Sequence, residues 1–301
     1  MKRIVSVSLG SPARNAEITM EILGERVTLS RVGTNGDLRA ARRLVEELDG
    51  TVDAIGLGGV NLWLYAGKRR YPVRQARWLI QNVRRTPVVD GSGVKAYIER
   101  QLPATIRKVQ PHLPQKATAL VVSAVDRPFL YDALKAQGFE VILGDIAVAL
   151  GIPFATKSFR LVETLARAVV PIVAQLPIQW VYPVGEKQTQ IVRGYATRLM
   201  ERATIIAGDF HYIRRHLPDS LMNKVIITNT VTKEDRELLA RRGPVFLITT
   251  SPNFQGRSFA TNVIEALIVA FAGKPAPEMT ASDYERVANV LQIRPSIEKL
   301  G

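Results

Sequence analysis

The chain has no cysteine among its 301 residues, which excludes disulfides, thiolate metal sites and any thioester carried on a cysteine. It also has no apolar run of the roughly 18 residues that a membrane-spanning helix needs. The opening MKRIVSVSLGSPARN holds too short an apolar stretch for a signal peptide and reads as a first β-strand, so a cytoplasmic location is expected. Neither a G-x-S-x-G elbow nor a G-x-x-x-x-G-K-[ST] loop occurs, which leaves hydrolase and kinase readings without support. No helix-turn-helix, base-stacking aromatic pair or zinc module stands out. His211 and His216 are five apart beside Asp209, off the i, i+4 spacing that places two metal ligands on one helical face, and no metal site is expected.

What is present fits an ordinary globular protein of two domains, with 47% hydrophobic and 23% charged residues. The formal net charge of +14 would draw phosphates or other anions. It is scattered in short groups such as Lys68-Arg69-Arg70, Arg84-Arg85, Arg214-Arg215 and Arg241-Arg242. That scatter describes a solvated basic surface, with nucleic acid bound only through nonspecific charge.

Periodicity places the elements. Residues 3–9 alternate as a strand, 17–32 read as a hairpin turning at Gly24-Glu25, and Asp37 opens a helix to Leu48 with Gly50 just past its end. A strand at 53–60 and a helix at 74–83 follow, and a helix over 95–110 is expected to break at Pro103. From Ala117, apolar runs at 117–125, 139–145, 178–184, 203–210, 224–230 and 245–251 alternate with helical segments, the pattern of a parallel sheet covered on both faces. The fold class is α/β in two lobes: an N-terminal α/β domain over 1–110 and a Rossmann-like doubly wound parallel-sheet domain over 111–275, with a helical tail over 276–301. The segment GRSFATNVIEALIVAFAGK, 256–274, is apolar around most of a helix and is expected to be buried against both lobes.

Candidate residues come from the turns. A dinucleotide fold would carry glycines after the first strand of its sheet, where Ser123-Ala124-Val125-Asp126-Arg127 stands instead. Asp145 ends the second strand, where an acid would bond a ribose hydroxyl. Asp90, before Gly91-Ser92-Gly93, either caps a helix or faces a cleft between the lobes. The polar loop at 250–258 either contacts a ligand or merely connects.

Four segments carry a resemblance. VVDGSGVKAYIERQL resembles the N-T-D-x-x-G segment of the shikimate and quinate dehydrogenases, and the 256–274 helix is similar to their closing helix, with Gly256, Phe271 and Gly273 at matching spacing. IITNT at 226–230 resembles their I-N-A-T-P strand end, and VSLGSPARNAEI their carboxylate-holding serine segment. Within that family the bacterial quinate 5-dehydrogenase group is the most similar. The resemblance implies an NAD(P)-dependent oxidoreductase acting on a polyhydroxy cyclic carboxylate, with NAD or NADP as cofactor. It implies Lys68 and Asp90 as the catalytic pair, Lys95 being the second choice of lysine. Ser123, Ala124, Asp145, Asn229 and Thr230 would meet the cofactor, and Ser8, Ser11, Asn61, Asn262 and Glu265 the substrate. Val263 stands where the family has a substrate-binding glutamine. A lysine beside a carboxylate could relay the hydroxyl proton as hydride leaves. The closing helix and IGLGG at 55–59 also resemble cyanobacterial acyl-carrier-protein reductases, whose cysteine thioester this chain lacks. The alternative is a non-catalytic Rossmann-like protein that binds or senses an anionic small molecule, which the missing glycine turn favours. A homodimer through a strand edge or a helix stays open.

Overall fold

A computed structural model describes residues 1–178 and 191–301, apart from 68, 115, 230, 244, 251, 252, 255, 256 and 259. The first lobe contains β1 (Lys2–Ser8), β2 (Ala16–Ile22), β3 (Glu25–Gly33), α1 (Leu38–Leu48), β4 (Ala54–Gly58), the hairpin β5 (Trp63–Ala66) and β6 (Arg69–Pro72), α2 (Arg74–Ile80) and β7 (Val88–Val89). Helix α3 (Ser92–Val109) then leads to the second lobe. There the chain forms β8 (Thr118–Val121), α4 (Pro128–Ala136), β9 (Glu140–Leu143), α5 (Asp145–Ala149), α6 (Phe159–Val173), α7 (Tyr195–Arg202), β10 (Ile205–Ala207), α8 (Phe210–Arg215), β11 (Lys224–Thr228), α9 (Lys233–Ala240) and β12 (Val245–Thr249). A short hairpin, β13 (Asn253–Phe254) and β14 (Arg257–Ser258), precedes α10 (Thr261–Ala272), α11 (Ala281–Val290) and β15 (Ser296–Leu300).

The first sheet has the order β2-β3-β1-β4-β7, parallel except for the edge strand β2. Its central strand is apolar on both sides because both faces are covered. Ile4 packs with Val27, Leu29 and α10, while Val5 and Val7 pack with α1 and α2. Asp37 caps α1 by accepting the amides of Arg39 and Ala40 at 2.8 and 2.9 Å. The β2-β3 turn falls on Leu23-Gly24, both at positive φ, one residue earlier than the sequence suggested.

The second sheet has the order β15-β12-β11-β10-β8-β9. Five of these strands are parallel, and β15 pairs antiparallel with β12. The sequence reading did not anticipate β15, whose short SIEKL pattern is half exposed as an edge strand should be. The strand expected at 178–184 lies, beyond Ile178, outside the described residues. The class is therefore α/β in two lobes with parallel sheets, and among the described residues the second sheet runs β9-β8-β10-β11-β12, doubly wound about β8.

Among the described residues the lobes are joined by α3, by α6 and the residues after it, which pack on β5 and β6 and bring Ile178 into the first lobe's core, by the stretch from β12 to α10, and by the stretch from α11 to β15. Helix α3 does not break at Pro103. Leu102 and Ile106 are fully buried in the second lobe's core, and that packing offsets the hydrogen bond a proline removes. Helix α10 returns to the first sheet, packing on β1, β4 and β7 and against α3 and α11. This corrects the expected placement between both lobes and accounts for its all-round apolarity.

Glycine at 93 lets α3 approach α10 and α11, since a Cβ there would overlap Glu265 Oε1 and the Tyr284 hydroxyl. Alanine normally stabilises a helix by up to about 1 kcal/mol over glycine. Here Gly93→Ala is expected to destabilise by roughly 1–3 kcal/mol through overpacking, read from the urea midpoint at unchanged m. A midpoint that stays or rises would refute the close approach.

Candidate functional site

The carboxyl ends of the two parallel sheets lie close together. The end of β7 runs through Asp90 into α3, whose Lys95 Nζ stands 3.0 and 3.3 Å from Asp126 in the turn after β8. In the second sheet the chain goes from β8 to β9 on one side and later to β10 on the other. That reversal opens the crevice where doubly wound sheets hold ligands.

Strand register fills this crevice with polar side chains. Leu143, Val121, Ala207, Ile227 and Ile248 are register partners across β9, β8, β10, β11 and β12. Two residues further on, each strand carries a polar residue: Asp145, Ser123, Asp209, Asn229 and Thr250. The row is braced from within. Asp145 Oδ1 accepts the Val125 amide at 2.9 Å. Asp209 caps α8 through the His211 amide and accepts Asn229 Nδ2 at 2.7 Å, while Asn229 Oδ1 accepts the Phe210 amide at 3.2 Å.

Behind this row lies a buried ion pair. Arg127 and Glu99, with side chains 3% and 1% exposed, meet at 2.7 Å, and Arg127 also lies 4.0 Å from Asp209. Arg127 Nε, Glu99 Oε2, Thr250 Oγ1, Ser123 Oγ and Asp145 Oδ2 are buried with no partner among the described residues. Burial alone would lower the Lys95 pKa, but the carboxylates of Asp126, Glu99 and Asp90 outweigh it and hold the ammonium above its usual range. Burial would raise Asp209; the charges of His211, Arg127 and Lys95, with the His211 amide, keep it below the usual carboxylate range. Tyr212 is pushed up to about 12 by burial and by Asp209, Asp126 and Asp145.

The opposite wall is built from small residues. Ser8, Gly33 and Gly58 are level in the first sheet, and Gly91 follows two residues after Val89, the partner of Gly56. Ser8 Oγ accepts the Gly10 amide at 3.1 Å and Arg31 Nη2 at 2.9 Å, while Arg31 Nη1 donates to the Ser11 carbonyl at 3.1 Å. Ser11 Oγ accepts the Ala13 amide. Burial and then Arg14 lower the Arg31 pKa.

The residues singled out in the sequence fall into three places. Ser123, Asp145 and Asn229 share the polar row with Lys95 close by, and Ala124 beneath them is core. Ser8 and Ser11 are on the small-residue wall. Asn262 and Glu265 lie inside the first lobe: Asn262 Nδ2 donates to Ser6 Oγ at 2.7 Å, and Glu265 Oε1 accepts the Tyr284 hydroxyl at 2.7 Å and the Gly93 amide at 3.1 Å. Asp90 takes the helix-start role, its oxygens accepting the amides of Leu62 at 2.6 Å and Ser92 at 2.9 Å. Asn61 is half-buried in the loop after β4. Lys68 and Thr230 lie outside the described residues. Sequence reasoning passed over Glu99 and Arg31, took Asp209 only as a neighbour of two histidines, and met Thr250 only as the first residue of the 250–258 loop. Three of these four had a signal: for Glu99 a carboxylate beside Ile98 on α3, and for Asp209 and Thr250 their place as polar residues closing the runs ATIIAGD and VFLITT.

Two surface hollows lie outside the crevice, the first of them reaching Arg31. One of about 430 Å³ sits between Glu17, Ser30 and Leu44, and one of about 750 Å³ lies beside Arg77, Trp78 and Gln81. Neither touches the buried charges, and the charges locate the site.

Fold and cleft together define a two-lobed α/β protein with a polar row facing a small-residue wall. The chain belongs to the family described as domain of unknown function (DUF8754), whose model matches residues 93–300. Residues 3–90 match a second domain of unknown function (DUF8753). No curated protein matches the chain in sequence. Similar solved structures include a glucose-galactose binding protein, GanP, from Geobacillus stearothermophilus, 8% identical over 99% of this chain and 96% of that one, with a TM-score of 0.35. A glutamate dehydrogenase from Thermus thermophilus is 13% identical over 97% and 74%, with a TM-score of 0.40. An extracellular ligand-binding receptor from Rhodopseudomonas palustris HaA2 is 12% identical over 96% and 87%, with a TM-score of 0.41. At these scores they carry neither ligand nor activity over to this chain.

The family match corrects the resemblance to shikimate and quinate dehydrogenases, and the oxidoreductase reading built on it falls as well. Its motifs have other physical causes. VVDGSG is a helix start turned on Gly91, with Asp90 accepting the Ser92 amide, the closing helix is apolar because it is buried, and Val263 is a core residue.

Two measurements test this cluster. Burial, and then the charge of Asp90, raise Glu265 from 4.5 to about 7. A raised carboxyl stabilises the fold fully below about pH 4.5, and that stability is lost as pH rises through 7. Between pH 4.5 and 7.5 the wild type should lose roughly 3 kcal/mol relative to Glu265→Gln in urea unfolding; parallel profiles would refute the shift. Arg127→Met should cost about 3–5 kcal/mol by stranding Glu99, and adding Glu99→Leu should recover much of it, measured by the same method.

Proposed function

We propose that the protein is a non-catalytic binder of a small polar molecule, which it takes up between its lobes at the carboxyl ends of both sheets. The observation that carries this reading is the level row Asp145, Ser123, Asp209, Asn229 and Thr250, backed by the buried Glu99–Arg127 pair. Burying charge costs several kcal/mol per ion before pairing offsets it, and here that cost falls directly behind the row. Several of these groups keep a polar atom in reserve, which suits recognition. Asp126, Glu99 and Asp209 already hold a cation or an amide, an arrangement that orients a guest rather than moving protons. The finer expectation of an anionic group on the ligand is supported by Arg31 and the Ser8 hydroxyl on the small-residue wall.

A thermal-shift screen tests the reading with millimolar mixtures of amino acids, aldoses, hydroxy acids, and NAD with NADP, because a molecule bound only by the folded state must raise Tm. At least one mixture should raise Tm, and the gain should be lost in Asp209→Asn, which keeps a good N-cap while removing the charge. No gain from any mixture retires the proposal.

A further inference from the structure

Basic residues are scattered along the sequence, but the fold gathers seven arginines on one face of the first lobe. Helices α1 and α2 cover the side of the first sheet away from α10 and pack against each other. On α1, Arg39, Arg42, Arg43 and Glu46 follow at i, i+3, i+4 and i+7 and so share one side of the helix. Arg74, Arg77, Trp78 and Gln81 repeat that spacing along α2. The two rows meet. The Arg42 guanidinium lies 4.5 Å from the centre of the Trp78 ring, and Asn82 Nδ2 donates to Glu46 Oε1 at 2.8 Å. Arg84 and Arg85 extend the face, their amides held by Asp49 just past the end of α1.

Most of this charge is unpaired. Arg39, Arg43, Arg74, Arg77, Arg84 and Arg85 are exposed and make no ion pair among the described residues. The carboxylates beside them are engaged elsewhere: Asp37 caps α1, Glu46 accepts Arg42 and Asn82, and Asp49 accepts the amides of Arg84, Arg85 and Thr86. Exposed Glu47 is the remaining acid of α1. Trp78 stands 37% exposed in the middle of the face. The hollow of about 750 Å³ beside α2 is lined by Arg74, Arg77, Trp78, Gln81 and Gln175. Arg42 does not line it, so it meets the indole on the side that Arg42 leaves open.

We infer that this face binds single-stranded nucleic acid, its phosphates on the arginine rows and one base stacked on Trp78 in the hollow. Proteins hold single strands by pairing a positive track with aromatic side chains on which unstacked bases lie. A guanidinium forks a phosphate and lies flat on a ring, and Arg42 already does the second. A duplex keeps its bases stacked inside and would leave Trp78 unused. A membrane surface calls for a broad apolar face under the cations, where this face has one indole. The rows lie on helices that cover a face of the first sheet, so the inference stands apart from the ligand of the cleft.

The test is fluorescence anisotropy of the full chain with labelled single-stranded DNA and RNA of about a dozen nucleotides. A duplex of the same sequence and phosphatidylglycerol vesicles serve as competitors. The single strand should bind at low salt and weaken as salt rises, with a logarithmic slope of about −0.7 for each phosphate held. Arg74→Gln with Arg77→Gln should weaken binding at least tenfold and make the slope shallower. Arg215→Gln with Arg241→Gln removes the same charge from exposed positions of the second lobe and should leave affinity within about twofold. Trp78→Ala should weaken binding at least fivefold with the slope unchanged, and Trp78→Phe should recover most of the loss. Preference for the duplex or the vesicles, or full affinity in Trp78→Ala, overturns the single-strand reading. Equal losses from the two arginine pairs reduce binding to general charge and overturn the site, as does no binding at about 50 mM salt.

Discussion

The relation between the lobes depends on the buried pair of Glu99 and Arg127. Glu99 projects from the middle of the crossing helix α3 and Arg127 closes the turn after β8, so one contact of 2.7 Å ties the connecting element to the second sheet. Neither charge has solvent to turn to, and loss of either leaves the other stranded in a low-dielectric interior. The same turn presents Asp126 to Lys95 one helical turn earlier. At its start, α3 is seated on α10 and α11 through Gly93, Glu265 and Tyr284. One helix therefore reports the position of each lobe to the other, and the polar row stands beside it.

This arrangement places electrostatic cost where recognition needs it. The strands beneath are apolar and close-packed, with Val121, Ala207, Ile227 and Ile248 in one core or its neighbour. At their carboxyl ends, from the Thr228 and Thr249 pair onward, the sheet becomes polar. There the side chains hold one another through caps and amide bonds, which fixes their directions before any guest arrives. The wall opposite is small, so the first lobe offers backbone and hydroxyl where the second offers charge.

The misleading resemblance has a lesson of its own. A helix buried on the first sheet, α3 and α11 must be apolar all round and needs a glycine to end it, so it looks alike in any fold that buries such a helix. An acid before Gly-Ser-Gly is what a tightly turned helix start requires. Short motifs of this kind report local geometry shared by many families, and fold-level likeness assigns no chemistry.

Strand runs, the capped helix at 38–48 and the two-lobe α/β class were determined by the sequence alone, because alternation and continuous apolar runs record which faces are covered. Three members of the polar row, Ser123, Asp145 and Asn229, were legible as polar residues closing apolar runs. Strand order, the antiparallel β15, the return of α10 to the first sheet and the survival of α3 past Pro103 were decided by tertiary structure. So was the meeting of Glu99 with Arg127, 28 residues apart. Periodicity encodes burial along one element; which elements become neighbours is set by packing between distant segments, and no local pattern carries that information.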